Sequence, residues 1–197
     1  MHGPESTPPS DPAPDVLGEL RALDLAVYAA ISATPTPTLD RFAAGLSRAA
    51  DGSKLWIASA GLLAATGSHG RRSAIDGLAS VAVTSALVNL VLKPSWRRRR
   101  PDREIHRVPI ARQVDMPRST SFPSGHAASA FAFASGVARD SPAAAIPLRA
   151  AAALVAYSRV HTGVHYPVDV IAGAMVGGAI APLTTAALDR RRARNHP

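Results

Sequence analysis

The chain has 197 residues, a formal net charge of +8 and no cysteine. That length accommodates one domain, and the missing thiols exclude a disulfide framework, a thiolate zinc site, an iron–sulfur cluster and a cysteine nucleophile. Hydrophobic residues make up 47% and charged residues 18%, against roughly 25% charged in an average soluble domain. Aromatics are only 5%, so the apolar mass is largely Ala, Val, Leu and Gly, which suits helices packed closely in a bilayer. The basic excess is almost all arginine; Lys54 and Lys93 are the only lysines. Such an excess fits nucleic acid, anionic lipid or a phosphorylated substrate.

Residues 1–14 are rich in Pro and Ser and are expected to form a disordered tail; they lack the features of a secretory signal. Residues 15–33 are amphipathic at first and then apolar, which fits an interfacial helix or a first span. Thr34-Pro35-Thr36-Pro37 ends it, and the stretch to residue 50 reads as a connection. Five further apolar segments follow, at 55–68, 74–92, 122–138, 143–160 and 168–188. A span needs about 20 residues, so two segments suffice alone and three need extension or tilt. Nothing alternates with period 2 and no internal repeat is evident. The expected fold is therefore all-α: a transmembrane bundle of five to six membrane helices, with a core over 51–189 and a basic tail at 190–197. Gly173 and Gly177 give the last segment a small-xxx-small face. Trp56 and Trp96 are expected in the interfacial belt.

The stretch 93–121 differs. It holds Lys93, Arg97, Arg98, Arg99, Arg100, Arg103, Arg107, Arg112 and Arg118, and it exceeds the usual helix–helix connection, which marks it as a functional loop. Three short patterns then stand out. Lys93 is followed after six residues by Arg100-Pro101. Pro123-Ser124-Gly125-His126 opens the next apolar segment. Ser158-Arg159, five residues, His165, three residues and Asp169 bridge the last two. If the segments cross in turn, all three patterns meet at one end of the bundle.

The residue types there suit a phosphate ester. Arg100 and Arg159 offer forked donors and Lys93 a point charge. Ser124 is a good helix cap, and Gly125 lets backbone N–H groups approach an anion. Asp169, in a first helical turn opened by Pro167, can accept from His165 Nδ1–H and leave Nε2 free as nucleophile or base. His126 has no sequence-local carboxylate and suits the acid that protonates a departing oxygen. His161 and Tyr166 lie beside the site and are candidates for shaping substrate entry. Arg97, Arg98, Arg99, Arg103 and Arg107 read as solvated or lipid-headgroup contacts, and His69, His106 and His196 as surface residues.

These three patterns resemble the tripartite signature of the type 2 phosphatidic acid phosphatases, the PAP2 or lipid phosphate phosphatase superfamily, with all eleven fixed positions in order. The resemblance implies a metal-independent, cofactor-free membrane phosphohydrolase. In it His165 matches the nucleophile that becomes a phosphohistidine, Asp169 its orienting carboxylate and His126 the general acid. Lys93, Arg100, Ser124, Gly125 and Arg159 match the phosphate-binding set. The implied partners are a lipid phosphate substrate and the bilayer, with no nucleic acid. The substrate stays open among phosphatidate, phosphatidylglycerol phosphate, a polyprenyl phosphate or diphosphate, and a prenyl-linked sugar phosphate. The Ala- and Arg-rich usage fits a GC-rich bacterial genome and hence a bacterial plasma membrane. The family's orientation implies an extracytoplasmic site. That keeps Arg71, Arg72, Arg139 and the C-terminal arginines inside, as the positive-inside rule prefers, but leaves the basic loop outside. Two alternatives keep the same fold: a vanadate-dependent haloperoxidase-like oxidoreductase, and a non-catalytic lipid-binding or transport protein.

Overall fold

The computed structural model describes residues 15–195; the stretch 1–14, read as a tail, and His196 lie outside the described residues. Among the described residues there are seven helices and no strand, so the fold is all-helical. They are α1 (Val16–Ala33), α2 (Pro37–Ala49), α3 (Lys54–Ala64), α4 (Ser68–Leu87), α5 (Gly125–Ala138), α6 (Pro142–His161) and α7 (Pro167–Asn195). α4 runs on through a π-turn, Val88–Leu92, into a last helical turn, Lys93–Ser95. Three stretches are long and apolar enough to cross a membrane: Ser68–Ser95, Pro142–His161 and Pro167–Asn195. α3 and α5 have 11 and 14 residues, or roughly 16 and 21 Å at the α-helical rise.

The connection expected after α1 folds instead as α2. Pro37 opens it, and the Thr36 hydroxyl donates to Asp40 Oδ1 at 2.9 Å. Its buried face is Asp40, Ala43, Ala44 and Ser47, flanked by the half-buried Leu39 and Leu46. Trp56 is likewise not at an interface. It is 1% exposed, with its ring centroid 5.6 Å from that of Phe133, in a cluster with Ala60, Val81, Val137 and Val155. Trp96 is exposed and sits edge-on to Phe122.

The short helix α5 is the centre of the bundle and packs against α4, α6 and α7. It is buried nearly all round, at Ala127, Ala128, Ala130, Ala132, Phe133 and Ala134 among others, as expected of a helix with no polar stripe. Close approach depends on small residues. A methyl group on Gly173 or Gly177 of α7 would run into the backbone of Ser124 or Ala128, and one on Gly136 would meet Asp76 O at 2.7 Å.

α7 continues through the residues read as a basic tail. There Arg192 grips the fully buried Asp76 of α4, with Nη2–Oδ1 at 2.5 Å and Nη1–Oδ2 at 3.1 Å. Arg72 and Arg139 join Asp189 at the same end. The other end holds the C-terminal ends of α4 and α6 and the N-terminal ends of α5 and α7, and with them all three sequence patterns.

Candidate active site

His165 is placed by the way α6 stops. Gly163 turns the chain at φ 71°, a conformation that favours glycine. The Arg159 carbonyl then accepts from the N–H groups of both Val164 and His165, each at 3.1 Å. This folds His165 back beneath the end of α6. Asp169 is placed by the way α7 starts: its Oδ2 accepts from the Tyr166 N–H at 2.9 Å, the backward reach of an acid at the third helical position. That oxygen lies 3.5 Å from His165 Nδ1 and accepts from the Ser121 hydroxyl at 2.5 Å. Ser121 Oγ is itself 3.4 Å from Nδ1.

The opposite ring nitrogen, Nε2, stands 3.2 Å from Arg100 Nη1. A guanidinium has only donors and a carboxylate only acceptors. The surroundings therefore favour the proton on Nδ1 and the lone pair on Nε2. Burial pushes the imidazole down from its ordinary value to about 3. The nearby Arg100 and Arg159 charges act in the same direction, and Asp169 opposes them. The ring is thus a neutral base in a strongly cationic setting.

The cations are held in place. Arg100 donates from Nε to Ser119 O at 2.9 Å, from Nη1 to Val164 O at 2.8 Å and from Nη2 to Thr120 O at 3.2 Å. Lys93 Nζ and Arg100 Nη2 both donate to Ser119 Oγ, at 2.9 and 3.3 Å. Lys93 stands just past the π-turn, an irregularity often found at functional positions. Ser124 caps α5, accepting from the Ala127 N–H at 3.4 Å, and its own N–H donates to Asp169 O at 2.9 Å. The starts of α5 and α7 are thereby tied together. A methyl on Gly125 would meet nothing nearer than Lys93 Nζ at 3.8 Å, so internal packing does not demand glycine there. Lys93, Gly125 and His126 line a cavity of about 370 Å³ with Ser85, Asn89 and Ser129. Arg159 is 1% exposed; its Nη1 donates to Ser47 Oγ at 2.5 Å, and its buried Nε has no hydrogen-bond partner among the described residues. The eight residues singled out in the sequence thus lie at one end of the bundle.

Other residues join them. Asp51 Oδ1, on the turn between α2 and α3, is 2.8 Å from His126 Nε2 and 3.6 Å from Arg159 Nη1. Arg98 is no solvated charge: it bridges Asp169 Oδ1 at 2.8 Å and Asp24 Oδ2 at 2.5 Å, with the Tyr166 ring centroid 4.1 Å away. Asp24 Oδ1 also accepts from the Val168 N–H at 2.8 Å, capping the first turn of α7 from α1. His161 stands apart from this group. It is buried, 2.8 Å from Asp40 Oδ1, which Arg112 Nη2 meets at 3.0 Å, and it lines a separate cavity of about 220 Å³. His106 is half-buried, edge-on to Tyr28, and His69 is exposed.

Comparison with known proteins bears on the family and the fold. The PAP2 superfamily model matches residues 75–193. The decaprenylphosphoryl-5-phosphoribose phosphatase of Mycobacterium tuberculosis is 36% identical over 115 residues, which are 57% of this chain and 61% of the relative's length. The chain therefore spans about three-fifths of that relative. Among solved structures, LpxE of Aquifex aeolicus superposes with a TM-score of 0.68 at 24% identity, over 82% of this chain and 94% of the other. A transmembrane PAP2-type phosphatidylglycerolphosphate phosphatase from Bacillus subtilis gives 0.68 and 24%, over 87% of each chain. With the family model covering more than half of its length, the chain belongs to the PAP2 superfamily.

Proposed function

We propose that this membrane phosphatase hydrolyses a lipid phosphomonoester or pyrophosphate through a phosphohistidine on His165. One observation carries the reading: Nδ1 of His165 backs onto Asp169 while Nε2 faces the Arg100 guanidinium. A phosphate held by Arg100, Lys93, Arg159 and the N–H groups at Ser124 and Gly125 would present phosphorus to that lone pair. The Nε2–P bond forms as the P–O bond to the leaving group breaks. His126 gives its proton to the departing oxygen and later takes one from the water that attacks the phosphohistidine. Fixed donors on the phosphoryl oxygens supply the main acceleration, since one such donor is typically worth ~10²–10³ in rate. The partnerless Nε of Arg159 is a donor available to the same anion.

The reaction needs no metal or cofactor in this scheme. The Mycobacterium tuberculosis relative is named for a polyprenyl-linked sugar phosphate, which favours that member of the substrate set. Arg72, Arg139 and Arg192 at the far end favour a site facing away from the cytoplasm of a bacterial plasma membrane.

The test is a panel of lipid phosphates presented to purified protein in EDTA, with an alkaline denaturing quench to trap labelled phosphohistidine, whose P–N bond survives base but not acid. Phosphate release that survives chelation and is lost in His165→Ala supports the mechanism. Metal-dependent release, or full activity in the variant, removes it.

A further inference from the structure

The loop from 93 to 121 carries nine basic side chains. Lys93 and Arg100 belong to the candidate site, Arg98 pairs with Asp24 and Asp169, and Arg112 with Asp40. Arg103 donates to Gly163 O. Among the described residues no ion pair or side-chain hydrogen bond engages Arg97, Arg99, Arg107 or Arg118. Three of these four, Arg97, Arg99 and Arg118, line a single cleft of about 620 Å³. Its wall also includes Lys93, Arg100 and Ser119, so the cleft opens directly onto the cations beside His165.

The backbone explains the sorting. Residues 97–100 run without helix, and Ser121 N–H donates to Arg98 O at 2.9 Å. Alternate side chains of an extended segment point to opposite sides. Arg98 and Arg100 are the half-buried pair, engaged with Asp169 and beside His165, and Arg97 and Arg99 the exposed pair; all four touch the cleft, where Arg118 joins them from the returning chain. Like charges gathered this way repel, and an anion in the cleft relieves them. A phosphate held by Lys93, Arg100 and Arg159 against His165 would take the inner edge of this cleft and leave Arg97, Arg99 and Arg118 without an anion.

We propose that the cleft is a second anion subsite. It binds a phosphodiester or second phosphate of the same lipid while the terminal phosphate lies against Arg100 and His165. Arg97, Arg99 and Arg118 are then specificity residues. The proposal rests on the reading of the chain as a lipid phosphatase and adds that its preferred substrates carry two phosphates.

The test uses the full chain in neutral detergent micelles with two diacyl lipids, phosphatidate and phosphatidylglycerol phosphate. Both present a terminal monoester, and only the second adds a phosphodiester. In the triple variant Arg97→Gln, Arg99→Gln, Arg118→Gln, kcat/KM on the two-phosphate lipid should fall about ten-fold or more, chiefly through KM. Phosphatidate turnover should change less than about two-fold, as for exposed charges without a partner. An equal fall on both lipids, or no fall on either, overturns the proposal. A parallel arm adds phosphatidylglycerol to phosphatidylcholine vesicles. If the variant alters only the response to that lipid, the cleft meets bilayer headgroups and the proposal also fails. If wild-type protein hydrolyses neither lipid the proposal fails; only if it also releases phosphate from no member of the lipid-phosphate panel has the phosphatase reading itself failed, which is a different result.

Discussion

Arg98 holds Asp169 from behind, with Nη1 2.8 Å from Oδ1, and anchors its other arm on Asp24 of α1 at 2.5 Å. Helix α1 therefore acts as a strut for the carboxylate that faces His165. Arg98→Ala leaves two buried carboxylates without their shared counter-charge, and Asp169 loses its partner on Oδ1 while Tyr166 and Ser121 still hold Oδ2. The expected result is a fall in kcat on the order of ten- to a hundred-fold, the usual loss when an outer partner of a functional imidazole is removed. KM should move less, because both arms of Arg98 are committed to Asp24 and Asp169. Arg98→Lys, with one point charge for two acceptors, should fall between. Steady-state kinetics that separate kcat from KM decide it; unchanged kcat in a folded Arg98→Ala protein would mean that the bridge serves packing alone.

The meeting of the three motifs at one end was legible because each is a local relationship. Ser124 caps its own helix, Asp169 sits four residues after His165, and Arg159 lies in the last turn of α6. Counting apolar segments was enough to put them together. Asp51, Asp24 and Arg98 were not legible in the same way, because their partners lie 71 to 75 positions away. An acid on a turn and one arginine in a run of four carry no spacing signal. Helix α2 was legible in the helical spacing of Leu39, Ala43 and Leu46 after Pro37 but is too short and polar to count as an apolar segment; the place of Trp56 against Phe133 depends on which helices α3 meets.

The neutral state of His165 makes a linkage prediction. Its folded value, about 3, lies below the ordinary 6.5. As pH falls below 6.5 the unfolded chain takes up a proton that the folded protein refuses. The unfolded state thus binds more protons, so this contribution to stability is complete above 6.5 and is lost as pH drops toward 3. In detergent solution, the melting temperature of the wild type should fall faster between about pH 7 and about pH 5 than that of His165→Asn. Parallel curves would show that the ring protonates freely in the folded state.

Asp51 and His126 form a pair whose importance should depend on the leaving group. A general acid matters only where the departing oxygen needs a proton. His126→Ala should slow an alkyl phosphate by on the order of 10²–10⁴. In kcat/KM, which reports phosphoryl transfer and not the later hydrolysis common to both esters, a 4-nitrophenyl phosphate, whose leaving group departs as a stable anion, should lose far less. Asp51 orients the same ring at 2.8 Å. Asp51→Asn should show the same contrast at a smaller size, about ten-fold on the alkyl ester. Equal losses on both esters would place Asp51 in anion binding through Arg159 instead.

Packing between α5 and α7 sets the width of the candidate site's end of the bundle, and two neighbouring glycines separate tight contact from mere helix propensity. A methyl on Gly177 would strike the backbone of Ala128, whereas one on Gly178 meets nothing within 4 Å. Gly177→Ala must push α7 away from α5, which should destabilise the fold by about 1–3 kcal/mol, the range for overpacked interiors. Gly178→Ala adds a good helix former in open space and should be neutral or stabilising by up to about 1 kcal/mol. Because Ser124 is bonded to Asp169 across this interface, the Gly177 variant should also lose activity while the Gly178 variant keeps it. Melting temperatures and phosphate release in one detergent test both statements. If the two variants behave alike, the close contact of α5 with α7 does not hold the site together.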